Sequence, residues 1–216
     1  IIMARLIKNE TVELFGKNAT VPFINGCDNS YHPCQILADA LTILEKFGTL
    51  DVNLMYIGAK NNVFNSHVEF FSKMKKGTLY GLTPLVNETA CGPDFYEEAK
   101  KSGHYIELDP SMSMEEAKEY ANKMDVLYTD TWVDMEFFNN PAYQKQKEET
   151  LAKMMPYQLN GDFTKDSKAI VFHDMPMHVG FEISQDVVDK NLDHILDEAE
   201  NRRHAEKAVM YTLLNS

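Results

Sequence analysis

The sequence predicts an α/β protein built on a doubly wound parallel sheet. Short apolar runs alternate with longer amphipathic runs along the chain, and no internal repeat or low-complexity linker interrupts the pattern. A content of 44% hydrophobic and 25% charged residues is ordinary for a globular chain. Strands that alternate with helices at this spacing imply parallel strands joined by right-handed helical crossovers.

The apolar runs define the predicted strands, and the amphipathic runs define the predicted helices. The strands are expected at 21–25, 53–57, 78–82, 104–108, 125–129 and 169–173. The helices are expected at 36–47, 62–75, 94–101, 114–123, 144–154, 185–190 and 194–214. This length of chain suits one sizeable domain together with parts of another.

Candidate ligand-binding segments follow from this sheet, because such sheets bind ligands outside the carboxyl ends of their strands. The segments predicted to lie there are the turns 58–62 and 82–84 and the stretches 130–135 and 173–176. We therefore expect a binding site that is assembled from these segments.

The stretch His32-Pro33-Cys34-Gln35 lies where an irregular loop meets a predicted helix. A helix N-terminus carries free N–H groups and partial positive charge, which favour a small anionic or carbonyl-bearing ligand. A neutral imidazole can donate to a developing oxyanion, and a carboxamide can both donate and accept. The alternative is a structural pair, with His32 capping the helix and Gln35 buried in the core.

An ordered series of short motifs accompanies this stretch. The series is IMAR at 2–5, VPFING at 21–26, HPCQ at 32–35 with LAD at 37–39, Gly58 with NN at 61–62 and Ser66, YTDTWV at 128–133, YQ at 157–158 with Asn160, His173 with Pro176, and DEAENR at 197–202. In this order the motifs resemble the aspartate/ornithine carbamoyltransferase family, most closely its ornithine branch. The resemblance covers essentially the whole chain.

The resemblance also implies how the chain is organised. In this family an amino-terminal carbamoyl-phosphate domain carries a Ser-Thr-Arg-Thr-Arg phosphate loop, which this sequence lacks. We therefore expect the carboxy-terminal part of a longer protein, inactive by itself, with a natural short paralogue as the alternative. The expected parts are a remnant of the carbamoyl-phosphate domain at 1–35, an interdomain helix at 36–48, an amino-acid (ornithine-type) binding domain at 49–192, and a C-terminal helix that returns to the first domain at 193–216.

The activity implied by the resemblance is transfer of a carbamoyl group from carbamoyl phosphate to an amine, with ornithine as the default acceptor. Arg5 and His32 would contact carbamoyl phosphate, with His32 donating to its carbonyl oxygen. Gln35 would hold the carbamoyl nitrogen, and Arg202 would contact the same substrate from the last helix. Positioning and electrostatics can drive this reaction without a covalent nucleophile. The alternative for both arginines is a salt bridge to a surface acid.

The resemblance places the contacts of the acceptor in the second domain. They are Asn62, Asp130, Asp134, Met135, His173, Asp174 and Met175. Asn62, at a strand-to-helix turn, suits the charged head group of an amino acid. Asp130 follows a predicted strand and suits a substrate ammonium, although a helix N-cap is the alternative. Trp132 is expected to pack beside the site rather than to bind.

Two departures from the ornithine pattern bear on the acceptor. The sequence DME at 134–136 stands where Ser-Met-Gly is usual, and His173-Asp174-Met175-Pro176 stands where His-Cys-Leu-Pro is usual. If Asp134 and Asp174 face the pocket, they favour a more cationic acceptor such as putrescine or another diamine, and Asp174 can accept a proton from the amine. If both face away, they only rebuild local hydrogen bonds.

Composition limits the other partners. A net charge of −12 argues against a nucleic-acid or anionic-membrane surface, and no apolar run is long enough to span a bilayer. Cys27, Cys34 and Cys91 lack metal-ligand spacing and suit free thiols in the cytoplasm, so we expect no metal and no cofactor. The resemblance implies a homotrimer for the longer protein. A non-catalytic paralogue remains the alternative to an enzyme.

Overall fold

The computed structural model describes residues 1–133 and 135–215, with the backbone alone at 135 and 136. The strands of this part of the chain are β1 (Ile2–Arg5), β2 (Phe23–Cys27), β3 (Asn53–Lys60), β4 (Thr78–Val86), β5 (Tyr105–Glu107), β6 (Val126–Thr129) and β7 (Ile170–His173). Its α-helices are α1 (Asn9–Asn18), α2 (Pro33–Phe47), α3 (Asn62–Met74), α4 (Pro93–Lys100), α5 (Met114–Ala121), α6 (Met135–Phe138), α7 (Gln144–Met154), α8 (Gly161–Thr164) and α9 (Gln185–Leu214).

The main sheet has five parallel strands in the order β5-β4-β3-β6-β7. Successive residues of the central strand β3 alternate between two apolar cores. Leu54 and Tyr56 pack with α2, α3 and α4 on one face, whereas Met55 and Ile57 pack with α5, α8 and α9 on the other. Because helices cover both faces, the middle of β3 is buried throughout. The predicted doubly wound fold is confirmed.

A second, two-stranded sheet pairs β1 with β2 in parallel, with Ile2 opposite Phe23. Helix α1 connects the two strands, so this segment is a small βαβ unit of its own. Both strands end close together, because Arg5 lies opposite Cys27. Helix α2 begins a few residues later, which brings the loop around His32 next to the end of β1.

Each predicted strand lies on an observed strand, but some boundaries and connections differ. Strand β3 continues to Lys60, and α3 begins at Asn62, so the turn predicted at 58–62 is reduced to Asn61. Strand β4 continues to Val86, so 82–84 is strand rather than turn. Pairing of the two strands past a register shift extends both, which no apolar pattern shows.

The two helices predicted at 185–190 and 194–214 are one helix, α9. The intervening residues include neither Gly nor Pro, so nothing in them stops a helix. Asn191 instead ties α9 to the sheet, since its Oδ1 accepts from the backbone N–H of Val171 at 3.0 Å. A single rigid element therefore runs from the main sheet to the loop around His32.

Candidate active site

A cavity of about 470 Å³ lies at the carboxyl ends of β3, β6 and β7, facing the end of β1 and the side of α9. Seven of the residues predicted as site residues line it together, namely Arg5, His32, Asn62, Asp130, Asp174, Met175 and Arg202. Two others, Gln35 and His173, are buried behind its wall. Asp134 and the side chain of Met135 lie outside the described residues.

Arg202 and His32 form the cationic wall of the cavity. NH2 of Arg202 donates to Nε2 of His32 at 2.9 Å, and NH1 donates to Oε1 of Gln35 at 3.1 Å. Burial, followed by the positive charges of Arg202 and Arg5, lowers the pKa of His32 to about 3. The ring is therefore neutral at physiological pH, and because its Nε2 accepts from Arg202, its proton is on Nδ1.

This arrangement refines the role predicted for His32. Donation from Nε2 to a substrate oxygen requires the ring proton to move from Nδ1 to Nε2 and Arg202 to turn toward the substrate. The backbone N–H of His32 donates to Oγ of Ser66 at 2.8 Å, and that hydroxyl donates to the carbonyl of Asn62 at 2.8 Å. The loop is thereby fixed to the first turn of α3. The salt-bridge alternative for Arg202 is present only at longer range, at 3.6 Å from Asp174 and 3.7 Å from Glu206.

Asp174 faces the cavity rather than away from it. Its Oδ1 lies 3.6 Å from NH1 of Arg202, and its Oδ2 lies 3.9 Å from Nε2 of His32. Burial raises the pKa of Asp174 to about 6, although the charge of Arg202 acts in the opposite direction. The sequence left open whether Asp174 faces the pocket or faces away from it. In the structure it faces the pocket.

Asp130 is buried directly after the end of β6. Its Oδ2 accepts from Nδ2 of Asn61 at 2.7 Å, and its Oδ1 accepts from the backbone N–H of Thr131 at 2.7 Å. Burial, followed by the negative charge of Asp174, raises the pKa of Asp130 to about 7. No helix begins at 131 in the described chain, so the N-cap interpretation of Asp130 is wrong.

Asn61 lines the cavity and lies in the predicted segment 58–62, but the sequence did not single it out as a site residue. It caps α3 through Oδ1, which accepts from the backbone N–H of Phe64 at 3.0 Å, and its Nδ2 holds Asp130. The available signal was the preference of Asn for the residue before a helix. Asn62 turns its Nδ2 to the carbonyl of Asp28 at 2.8 Å, so it joins α3 to the end of β2 besides lining the cavity.

His173 and Trp132 are packed behind the cavity. Burial alone would lower the pKa of His173, but its hydrogen bond to Glu182, at 3.2 Å, and nearby acids outweigh that effect and raise it. Trp132 is only 2% exposed, which agrees with its predicted packing role. Met175, which precedes a cis-proline, is partly exposed at the cavity rim.

Replacing Asp174 with asparagine is expected to stabilise the fold at high pH. A carboxyl whose pKa is raised in the folded state favours folding only while it is protonated, so its contribution falls as the pH rises from about 4 to 6. The gain is therefore expected at pH 8 and not at pH 4, and it should be on the order of 1 kcal/mol. Denaturant unfolding of both proteins at pH 4 and pH 8 measures it.

Asp162 provides the control for this pH effect, because its hydrogen bond with Lys118 lowers its pKa on the surface. Asp162→Asn should therefore change stability little and in the opposite sense, with a small loss at pH 8. Equal stability changes for Asp174→Asn at both pH values would contradict a buried carboxyl with a raised pKa.

The described residues offer neither a metal-binding cluster nor a membrane-spanning helix. They contain no group of three or more His, Cys, Asp or Glu side chains arranged to hold a metal ion. No helix of the described chain is long and apolar enough to cross a membrane.

The chain matches two models of one protein family. The Asp/Orn binding domain of aspartate/ornithine carbamoyltransferase matches residues 50–213, and the carbamoyl-P binding domain of the same family matches residues 1–45. The chain belongs to the aspartate/ornithine carbamoyltransferase family, and its resemblance to the ornithine branch is confirmed.

Individual relatives agree with this assignment. The ornithine carbamoyltransferases of Chlorobaculum tepidum and Pyrococcus horikoshii are 36% and 38% identical to the chain over 99% of its length. Among solved structures, the ornithine carbamoyltransferases of Thermus thermophilus and Pyrococcus furiosus superpose with TM-scores of 0.78 and 0.79 at 31% and 35% identity, over 99% and 97% of the chain. The chain spans 60% and 65% of the length of the two curated relatives, and 66% and 64% of the two solved chains.

Proposed function

We propose that this chain is part of a carbamoyltransferase that moves the carbamoyl group of carbamoyl phosphate to ornithine, giving citrulline and phosphate. The proposal rests on one observation: three basic side chains from distant parts of the chain lie around one cavity. Arg5, His32 and Arg202 come from the first strand, the α2 loop and the last helix, and all three line one cavity. The same cavity carries the carboxyl groups of Asp130 and Asp174. Such a cavity can bind an anion and an ammonium side by side.

The donor half of the reaction needs cations and a polariser for the carbonyl group. Carbamoyl phosphate carries a dianionic phosphate, which Arg5 and Arg202 would bind. As the amine attacks, negative charge develops on the carbonyl oxygen, and the neutral imidazole of His32 would donate to that oxygen. The bond from carbon to the bridging oxygen then breaks, and inorganic phosphate leaves with the electron pair. Gln35 lies behind Arg202, within reach of the carbamoyl nitrogen once the guanidinium turns to the phosphate.

The acceptor half needs an uncharged amine beside that carbonyl carbon. Asp130 and Asp174 would attract the substrate ammonium, and Asp174, which lies closer to Arg202 and His32, would take its proton. Because the pKa of Asp174 is about 6, its carboxylate is available as a proton acceptor above that pH. Asn62 would contact the head group of the amino acid. Asp134, Met135, His173 and Met175 would complete the surroundings of the acceptor.

The test is a citrulline assay on the longest polypeptide that the gene encodes, with the 216-residue chain assayed beside it. The longer protein should form citrulline from carbamoyl phosphate and ornithine. The chain alone is expected to be inactive, because the phosphate loop typical of the family is not in its sequence. A longer protein that binds carbamoyl phosphate but transfers it to no amine would favour a non-catalytic paralogue.

A second acceptor class is favoured by the charge of the cavity. The cationic side chains of its described lining are Arg5 and Arg202, which the phosphate would occupy, so the α-carboxylate of an amino acid has no counter-charge left to pair with. A diamine such as putrescine brings two ammonium groups and no carboxylate, which suits two neighbouring acids better. Either acceptor uses the same donor chemistry.

Comparing acceptors separates the two candidates. We expect kcat/KM for putrescine or another diamine to approach or exceed that for ornithine if Asp174 sets the preference. Asp174→Asn should then shift the ratio at least tenfold toward ornithine, whereas Asp162→Asn on the surface should leave it unchanged. A strict preference for ornithine in the unmodified protein would eliminate the diamine candidate. The family resemblance also leads us to propose a homotrimer, which sedimentation of the longer protein tests.

A further inference from the structure

The carboxamide of Gln35 is held by two buried acids that do not line the cavity. Its Nε2 donates to Oδ1 of Asp39 at 2.9 Å and to Oε1 of Glu198 at 3.0 Å. Asp39 and Glu198 are fully buried, and Gln35 is 3% exposed. Asp39 lies on α2 and Glu198 on α9, so the amide also joins the two helices.

This arrangement fixes which way the amide faces. A primary carboxamide has two N–H groups, and here both are taken by carboxyl oxygens. Its Oε1 therefore points the other way, where it accepts from NH1 of Arg202 at 3.1 Å. If the amide were reversed, its NH2 group would face the donor NH1 of Arg202, and neither nitrogen would have an acceptor there. A buried donor without an acceptor is costly.

A proton on the acid cluster makes this burial possible. Nδ1 of His67 lies 3.0 Å from the carbonyl oxygen of Val63, which can only accept, so Nδ1 carries the ring proton. Nε2 of the neutral ring is then a bare acceptor, 3.2 Å from Oδ2 of Asp39. Two acceptors that close require a proton between them. In agreement, burial raises the pKa of both Asp39 and Glu198 well above the ordinary range.

The orientation of the amide decides where the guanidinium of Arg202 rests. With Oε1 of Gln35 on NH1 and Nε2 of His32 on NH2, the group is held by two neutral acceptors. Two carboxylates compete for it from longer range, Asp174 at 3.6 Å and Glu206 at 3.7 Å. A guanidinium paired with a carboxylate is a poorer binder of an incoming phosphate, because that carboxylate must first be displaced.

We propose that Asp39 and Glu198 are positioning residues of the anion site: by taking both N–H groups of Gln35 they turn its oxygen to Arg202, so that the guanidinium bonds directly to Gln35 and His32 and not to Asp174 or Glu206, which stay beyond hydrogen-bond distance. This deepens the proposed function and rests on it for the identity of the bound anion. It assigns the two acids a role in phosphate affinity although neither touches the cavity.

The test follows the Gln35 amide and the Arg202 Nε–H by ¹⁵N nuclear magnetic resonance in the 216-residue chain, with inorganic phosphate as the probe. In the unmodified chain both Nε2 protons of Gln35 should be protected from exchange with solvent, as buried bonded protons are. In Glu198→Met the side chain has no acceptor for Gln35, so the protection of one of these protons should be lost. The dissociation constant for phosphate, read from the Arg202 signal, should then rise about tenfold.

Asp197→Asn is the matched control. Asp197 precedes Glu198 on α9 but pairs with Lys46 at the surface, so neither the amide signals nor the phosphate affinity should change. Unchanged phosphate affinity in a folded Glu198→Met chain would overturn the proposal. If that variant does not fold, the unmodified chain still decides. Rapid solvent exchange of both Gln35 Nε2 protons would show that Asp39 and Glu198 do not hold the amide. These measurements need no catalysis, so a failed citrulline assay leaves them interpretable.

Discussion

Replacing Arg202 with alanine is expected to lower kcat/KM for carbamoyl transfer by two to four orders of magnitude while leaving the fold intact. The guanidinium contacts both His32 and Gln35 at the cavity wall, so its removal takes away a cation for the phosphate and a partner of the imidazole. Loss of one preorganised contact to charge that develops in the transition state typically costs about 10²–10³ in rate, and the contact of Arg202 with the leaving phosphate carries a full charge besides. The side chain is 28% exposed, so its truncation leaves no large cavity in a core.

Arg203 is the control for this experiment. It follows Arg202 on the same helix, but its side chain is 62% exposed and pairs with Glu200 at 2.5 Å. Arg203→Ala removes the same charge from α9 and should leave the rate within about twofold, since exposed ion pairs contribute little. His32→Ala and Arg5→Ala should behave like Arg202→Ala. Near-normal rates in any of these three would reject the assigned contact at that residue.

The largest expected effect on stability is at Gly77. Gly77→Ala should lower the free energy of unfolding by more than about 3 kcal/mol or prevent folding. The residue has φ +65°, and a Cβ atom built there would lie 2.2 Å from the carbonyl oxygen and 2.8 Å from the nitrogen of Val52. Backbone atoms at the start of β3 cannot move aside without breaking the pairing of Thr78 with Val52.

Gly48 separates backbone strain from steric conflict. It ends α2 with φ +70°, yet nothing lies within 4 Å of the position of its Cβ. Gly48→Ala therefore carries only the strain of the left-handed conformation, about 1 kcal/mol. For a chain of this size that corresponds to a fall of about 2–4 °C in Tm. Chemical denaturation of both variants measures the difference, and equal losses would show that the contact with Val52 relaxes easily.

The fold could be predicted well because its physical causes are local. Each buried parallel strand is an apolar run, and each connecting helix has an amphipathic pattern, so alternation alone gives the sheet. The strand and helix boundaries that were predicted wrongly depend on contacts with residues distant in sequence. Strand β4 runs on to Val86 because it keeps pairing with Lys60, and α9 is continuous because nothing at 191–193 interrupts it. Strand β1 and helix α1 were not assigned at all.

The candidate site was predictable only through the family resemblance. Arg5 and Arg202 lie near opposite ends of the chain, and no spacing or periodicity brings them together. The inward orientation of Asp174 was open from the sequence, because the side chain of a residue after a strand can face either way. The buried contacts of Gln35 with Asp39 and Glu198 were also beyond reach, since charged residues on amphipathic helices are normally solvated.

The continuity of α9 makes helical pitch a determinant of the site. Glu198 and Arg202 are four residues apart, so one lies above the other on the same side of the helix. Inserting or deleting one residue between them would rotate Arg202 by about 100° and shift it by about 1.5 Å, out of reach of His32. Length changes in this stretch are therefore forbidden by geometry, whereas loops elsewhere tolerate them. Any active variant of this chain therefore has to keep the four-residue spacing between Glu198 and Arg202.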